Sequence, residues 1–508
     1  MSADELRRAV RATLMPGFAG TEAPEWILGL LADGLRAVCI YGQNVSDREQ
    51  LTALGAQLRA AAPGAIVGID EEGGEVTRLH YRTGAPYPGA AILGRIDDTA
   101  YTEEIGRRVA ADILAAGFPL ALAPDADVNS TPENPVIGTR SFGAEPELAA
   151  RHTAAWVRGL QAGGAIACPK HFPGHGDTAQ DSHLMLPTVD VDLDVLRARE
   201  LPPFRAAIAA GARAIMTSHI LLPRIDPEAP ATLSPRILQG LLRDELGFTG
   251  AIVSDALDMA GASGEIGIPE AAVRALAAGC DLLCLGTASG EEEVREIEDQ
   301  VLAAIAAGRL DAARVHEAAA RVHELAAGVG PAQAGAAGPG TAIAPLPDDA
   351  EIARVAASFA GRAHAMAWLA EHPRARVIRI DAEANQAIGA APWGPFAPAA
   401  AELAPAAAAR FAARGIRTVS ASDAARGGLS DGHPEDGSGV LVIGRDLHRS
   451  AAAAGISELR AAGTPVLTVD LGWPDAPGAP GGLAELAGFG SSALAGAALL
   501  RITEGTDV

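Results

Sequence analysis

The chain has 508 residues, 49% of them hydrophobic and 20% charged, which is more than one ordinary core needs and predicts two domains. A net charge of −23 without any basic stripe excludes nucleic acid as a partner. The N-terminal MSADELRRAVRATLM lacks an uninterrupted apolar core, and no apolar run reaches membrane-spanning length, so the reading is a soluble, cytoplasmic protein with no membrane partner.

From the N-terminus, short apolar runs alternate with helix-period segments. The strand candidates are residues 14–20, 37–42, 65–70, 119–128, 165–172, 212–220, 251–257 and 281–286, each followed by a pattern such as EPELAARHTAAWVRGLQ. Eight such units predict an α/β fold of the (β/α)8 barrel type, with a doubly wound open sheet as the alternative. Cys39, Cys168, Cys280 and Cys284 fall in or beside these runs without metal-site spacing and read as buried free thiols. After DAARVHEAAARVHELAA, residues 328–347 (GVGPAQAGAAGPGTAIAPLP) form a Pro/Gly/Ala linker. Beyond it, residues 374–380, 439–447 and 464–471 are buried-strand candidates. The expected organisation is a barrel over 1–327, the linker over 328–347 and a smaller α/β, sandwich-like accessory domain over 348–508.

Polar residues gather where the barrel runs end. Asp70 closes the third run, Lys170 and His171 the fifth, His219 the sixth and Asp255 the seventh, and in a parallel barrel these ends share one mouth. The fifth run leads into AIACPKHFPGHGDTAQDSH, which holds the only lysine among forty basic residues and three of the twelve histidines. Keeping a lysine there alone points to a need for a compact ammonium rather than a planar guanidinium.

Asp255 in IVSDALDMAGA can attack an electrophilic carbon, bind a metal or cap the next helix, with Asp258 as a second candidate for the cap. Asp181 and His183 stand two apart in D-S-H; in an extended loop their side chains share a direction, so the carboxylate can stabilise the imidazolium. Two solvated residues on a loop would look the same. Asp70 opens DEEGGEVTRL, a carboxylate suited to vicinal hydroxyls, and Arg140 in NPVIGTRSFG is a fork-shaped donor; each, taken singly, also reads as a surface group.

Taken together, IDEEGGEVTRL, NPVIGTRSFG, KHFPGHGDTAQDSH, IMTSHI and SDALDMAGA resemble the bacterial β-N-acetylglucosaminidases of glycoside hydrolase family 3, over about residues 10–325. The resemblance implies a retaining exo-glycosidase (β-N-acetylhexosaminidase) acting on N-acetylglucosamine-containing oligosaccharides or muropeptides, as in peptidoglycan recycling, with no cofactor and no metal. Asp255 would be the nucleophile, His183 the acid/base and Asp181 its partner, while Asp70, Arg78, Arg140, Lys170 and His171 would hold the sugar. A histidine in place of the second carboxylate departs from the usual retaining scheme. Once neutral it does not repel an anion, which suits a sugar linked to a carboxylate-bearing one and equally suits phosphate as acceptor, so a glycoside phosphorylase is the nearest rival. A metal-dependent amidohydrolase using Lys170, His171, His219 and Asp255 would carry an H-x-H pair, and the chain has none. A non-catalytic sugar binder would have lost the nucleophile or the dyad, and both are present. The second domain resembles the accessory domain of two-domain members, with no functional residue to transfer. All of this chemistry precedes the linker, so a chain ending near residue 330 is expected to keep activity.

Overall fold

The structure, a computed structural model, describes residues 2–178, 185–264, 266–328, 344–381, 388–429 and 438–505. They form two compact units. One comprises Met1–Glu72, Asp97–Ile137 and Ser141–Pro345; the other comprises Gly73–Ile96, Gly138–Arg140 and Leu346–Val508. Residues 73–96 and 138–140, expected with the first domain, thus pack with the C-terminal one. Residues 329–343 of the expected linker lie outside the described residues.

In the first unit every expected barrel run holds a strand: β1 (Leu14–Met15), β2 (Ala37–Ile40), β3 (Ile66–Ile69), β4 (Leu120–Ala121), β5 (Ile166–Ala167), β6 (Ala214–Met216), β7 (Ala251–Val253) and β8 (Leu283–Cys284). All pairings are parallel. β2, β3, β4 and β5 pair in sequence, β6 pairs with β7 and β8 with β1. Bridges from Phe172 to Thr217 and from Val253 to Leu282 join the remaining neighbours, and the Cys39 N–H donates to the Pro16 carbonyl at 3.0 Å. The ring is therefore closed, as a (β/α)8 barrel. β4 and β5 are shorter than their apolar runs because Pro124 and Pro169 have no N–H to continue the ladder.

Period-2 alternation turns Cys39, Leu120, Cys168, Met216, Val253 and Cys284 into one apolar cluster, to which Val322 and Leu325 of the helix Ala312–Ala327 also belong. All four cysteines are buried and free, as expected. Outside the strands, helices Thr99–Ala116 and Pro146–Ala162 touch backbone to backbone; a Cβ on Gly159 would meet the Glu103 carbonyl oxygen at 1.9 Å.

Asp281, just before β8, is fully buried. It accepts hydrogen bonds from Arg243 (2.6 Å), Arg321 (3.1 Å), Arg314 and the Ile252 N–H (2.9 Å). Removing a buried partner leaves its counter-charges uncompensated, so Asp281→Ala is expected to cost about 3–5 kcal/mol. A urea titration showing an unchanged midpoint would contradict this.

In the second unit, β9 (Arg376–Asp381), β10 (Ile416–Ser420), β11 (Val440–Gly444), β12 (Val466–Asp470) and β13 (Leu486–Ala487) form one parallel sheet in the order β10-β9-β11-β12-β13. Ile378, Val440 and Val442 pack one face, while Leu441, Ile443 and Val469 pack the other with the helix Ala493–Thr503. β9, β11 and β12 match the expected runs; β10 was not expected because it is an edge strand with Ile416 42% exposed, and so lacks a continuous apolar run. Among the described residues no helix is long and apolar enough to cross a membrane.

Candidate active site

The C-terminal ends of β3, β4 and β5 build one charged cluster. Asp70 directly follows β3, and the Lys170 ammonium, beyond β5, donates to its Oδ1 at 2.8 Å and pairs with Glu72 Oε1 at 2.8 Å. Lys170 is only 3% exposed. A point-like cation can touch two carboxylates at once, which accounts for a lysine at this position.

Beyond β4, the buried Asp127 organises the next part of the loop. Its Oδ1 accepts the N–H groups of His171 (3.2 Å) and His175 (2.7 Å), and its Oδ2 lies 2.7 Å from His171 Nδ1. Burial pushes the Asp127 carboxyl up, but His171 and His175 outweigh it and hold the group at about 2. The carboxylate thereby fixes His171 through Nδ1. Burial pushes the His175 imidazole down to about 4, so at neutral pH it is uncharged. Asp125, Asp127 and His171 are the one group among the described residues with ligand atoms close enough for a metal, within 4.8 Å of one another. Within this group Asp127 Oδ2 meets His171 Nδ1 at 2.7 Å and Asp125 Oδ1 accepts the Asp127 N–H at 2.9 Å, while Asp125 Oδ2 lies 4.0 Å from His171 Nδ1.

Asp255 stands two residues past β7. Its N–H donates to Thr217 Oγ1 (3.3 Å) beyond β6, and its Oδ1 accepts the Ala256 N–H at 2.7 Å. It caps no helix: the next one, Ala260–Ser263, has Met259 at its N-cap, and Asp258 Oδ2 instead accepts from the Thr287 N–H at 3.1 Å. Asp255 is half-buried, whereas Cys168 is fully buried. Burial pushes the Cys168 thiol up, a rise that the Lys170 ammonium opposes and the Asp70 and Asp255 carboxylates reinforce. His219 has both ring nitrogens engaged, Nδ1 with Thr232 Oγ1 and Nε2 with the Ala256 carbonyl, each at 2.9 Å. It is thereby spent as a structural brace rather than offered as a metal ligand.

Asp181 and His183 lie outside the described residues. The chain leading to them is tied down: Asn134 Nδ2 donates to the carbonyls of His175 (2.9 Å) and Gly176 (3.1 Å), and Asp177 accepts from Thr131 (2.6 Å) and Arg199 (2.5 Å). Gly176 is required there, since a Cβ would meet the Val128 carbonyl oxygen at 1.7 Å. On the far side, the Val189 N–H donates to Leu221 at 2.9 Å.

Of the expected sugar ligands, the first unit brings Asp70, Lys170 and His171 together; Arg78 and Arg140 belong to segments of the second unit. Sequence reasoning missed Glu72, Asp125 and Asp127. The signal was present: Glu72 is two residues from Asp70, and Asp125 and Asp127 close the fourth run with the same spacing, which places each pair on one side of an extended chain.

Comparison with known proteins bears on this arrangement. Residues 20–325 match the Glycosyl hydrolase family 3 N terminal domain. A beta-hexosaminidase of Stenotrophomonas maltophilia (strain R551-3) is 39% identical over 280 residues, 53% of this chain and 82% of that one. Among solved structures, a glycoside hydrolase family 3 beta-N-acetylglucosaminidase from Paenibacillus sp. str. FPU-7 superposes with a TM-score of 0.80 at 28% identity, covering 98% of this chain and 96% of that one. NagZ from Neisseria gonorrhoeae, in complex with N-trifluoroacetyl-D-glucosamine, gives a TM-score of 0.53 at 32% identity, over 65% of this chain and 99% of that one.

Proposed function

The chain belongs to glycosyl hydrolase family 3, and on that premise we propose that it is a retaining exo-β-N-acetylglucosaminidase working through a covalent glycosyl-Asp255 intermediate. The observation that carries this reading is Asp255 itself: a half-buried residue at a strand end, whose backbone N–H donates to Thr217 and whose carboxylate accepts the Ala256 N–H.

In the first half-reaction an Asp255 oxygen forms a bond to the anomeric carbon as the glycosidic bond breaks, and the departing oxygen takes a proton from His183. In the second, water attacks the anomeric carbon, gives its proton to His183 and releases Asp255. Asp181 stabilises the protonated imidazole between the two steps. Asp70, Lys170 and His171 hold sugar hydroxyls. The Lys170 bridge to Asp70 and Glu72 and the Asp127 bond to His171 orient these donors before substrate arrives, so no reorganisation is needed during reaction. The substrates are N-acetylglucosaminides, with muropeptide fragments of peptidoglycan as the natural class and the cytoplasm as the place of action.

Turnover of p-nitrophenyl N-acetylglucosaminide with and without phosphate tests the reading. The expected product is free N-acetylglucosamine in both conditions, at an equal rate. A sugar 1-phosphate made at the expense of hydrolysis would instead establish the phosphorylase.

A further inference from the structure

Thr217 and His219 stand two apart in IMTSHI, just past β6, the spacing that sends two side chains to one side of an extended chain. Both reach Thr232, on the short helical turn Ala231–Leu233, and all three residues are fully buried. The turn is itself fastened to this stretch, the Ala231 N–H donating to the Ile220 carbonyl (2.8 Å) and the Thr232 N–H to that of Ser218 (3.2 Å).

A continuous path of hydrogen bonds results. The Asp255 N–H donates to Thr217 Oγ1 (3.3 Å), and the two threonine hydroxyls meet at 2.7 Å. Thr232 Oγ1 then meets His219 Nδ1, and His219 Nε2 meets the Ala256 carbonyl, each at 2.9 Å. The Ala256 N–H returns to Asp255 Oδ1 at 2.7 Å, so the path begins and ends on Asp255. A carbonyl only accepts, so Nε2 carries a proton. In the neutral ring Nδ1 accepts from Thr232, and every donor along the path then points the same way. The Thr232 hydroxyl also lies 3.0 Å from the Ser218 carbonyl. An imidazole suits the position because it offers an acceptor and a donor at separate points of one rigid ring.

The backbone on either side is held by β8: the Ser254 N–H donates to the Leu282 carbonyl and the Leu257 N–H to the Cys284 carbonyl, each at 2.9 Å. Between these two anchors, the main chain of residues 255 and 256 is gripped by Thr217 and His219. We propose that His219 is a positioning residue for the nucleophile: it holds the Ala256 carbonyl directly and the Asp255 N–H through Thr232 and Thr217, and so aims the Asp255 carboxylate at the anomeric carbon. This rests on the assignment of Asp255 as nucleophile.

The test uses the full-length protein and the variants H219L, H219Q and T232V, assayed on p-nitrophenyl N-acetylglucosaminide well below each melting point. The rate and site of labelling by a 5-fluoro N-acetylglucosaminyl fluoride are measured alongside. A misplacement of about 1 Å costs about a hundredfold in rate, so H219L is expected to lower kcat and kcat/KM together by about that factor. KM should stay within about threefold, and the adduct should still form on Asp255, more slowly by the same factor as kcat. H219Q should recover about tenfold of the loss, because its amide N–H can still reach the Ala256 carbonyl. T232V should cost about tenfold alone and almost nothing when added to H219L, since residues on one path do not add. A folded H219L whose kcat and labelling rate stay within about threefold of the unmodified protein, whatever its melting point, overturns the proposal while leaving Asp255 as nucleophile. So does a raised KM with unchanged kcat, or a T232V effect that multiplies in full with that of H219L. A label on another residue of the unmodified protein removes the nucleophile assignment and the proposal with it. Should H219L not fold, T232V decides, and a kcat within about twofold of the unmodified protein overturns the proposal.

Discussion

Asp255→Asn is expected to lower kcat on N-acetylglucosaminides by about a thousandfold or more while the protein stays folded, equivalent to about 4 kcal/mol of lost transition-state stabilisation. The amide keeps the shape of the carboxylate and can still accept the Ala256 N–H through its oxygen, so the local hydrogen bonding persists. What is lost is the anion that bonds to the anomeric carbon. Circular dichroism and the urea midpoint should match those of the unmodified protein, which separates lost chemistry from lost structure. A modest drop, within about tenfold, would make Asp255 a positioning group rather than the nucleophile.

His183→Ala is expected to act selectively rather than uniformly. Alkyl and sugar leaving groups need a proton as they depart, so their glycosides should slow by about a hundredfold or more. Dinitrophenyl glycosides leave as stable phenolates and should be affected far less in the first step. With those substrates the second step becomes limiting, and azide should restore turnover, because it attacks the intermediate without base help and yields the glycosyl azide. A carboxylate beside an imidazole raises its pKa from ~6.5 by favouring the charged form. Removing that charge with Asp181→Asn should therefore move the alkaline limb of the rate profile to lower pH, as the proton-bearing form is lost earlier. An equal slowing of all substrates, with no azide rescue, would mean that His183 binds or braces rather than transfers a proton.

How much of this was legible beforehand differs by element. The eight barrel strands were readable because each is buried by helices on one side and the barrel interior on the other, which forces near-continuous apolar runs such as AIVGID and AIVSDAL. Their true lengths were not, because Pro124 and Pro169 end the ladders before the apolar runs end. β10 (IRTVS) escaped notice because an edge strand has no such constraint. Asp70, Lys170, His171 and Asp255 were placed correctly at strand ends, since strand-end chemistry follows from the parallel topology itself. The part Asp127 plays was missed although its spacing was visible, since nothing local says that a carboxylate at the end of β4 will meet an imidazole 44 residues later. The same limit applies more strongly to Glu75, whose partner Ser491 is 416 residues away. A contact of that separation leaves no periodicity in the sequence, so residues 73–96 read as a barrel loop while they pack as part of the C-terminal unit.

The most direct measurement of the central claim is to trap the intermediate. A 5-fluoro N-acetylglucosaminyl fluoride forms the covalent adduct quickly and releases it slowly, so that the labelled protein can be digested and mapped by mass spectrometry. The account predicts one sugar per chain, on the peptide containing IVSDALDMAGA and at Asp255 within it. A label on any other residue, or time-dependent turnover of the reagent with no adduct, would contradict it.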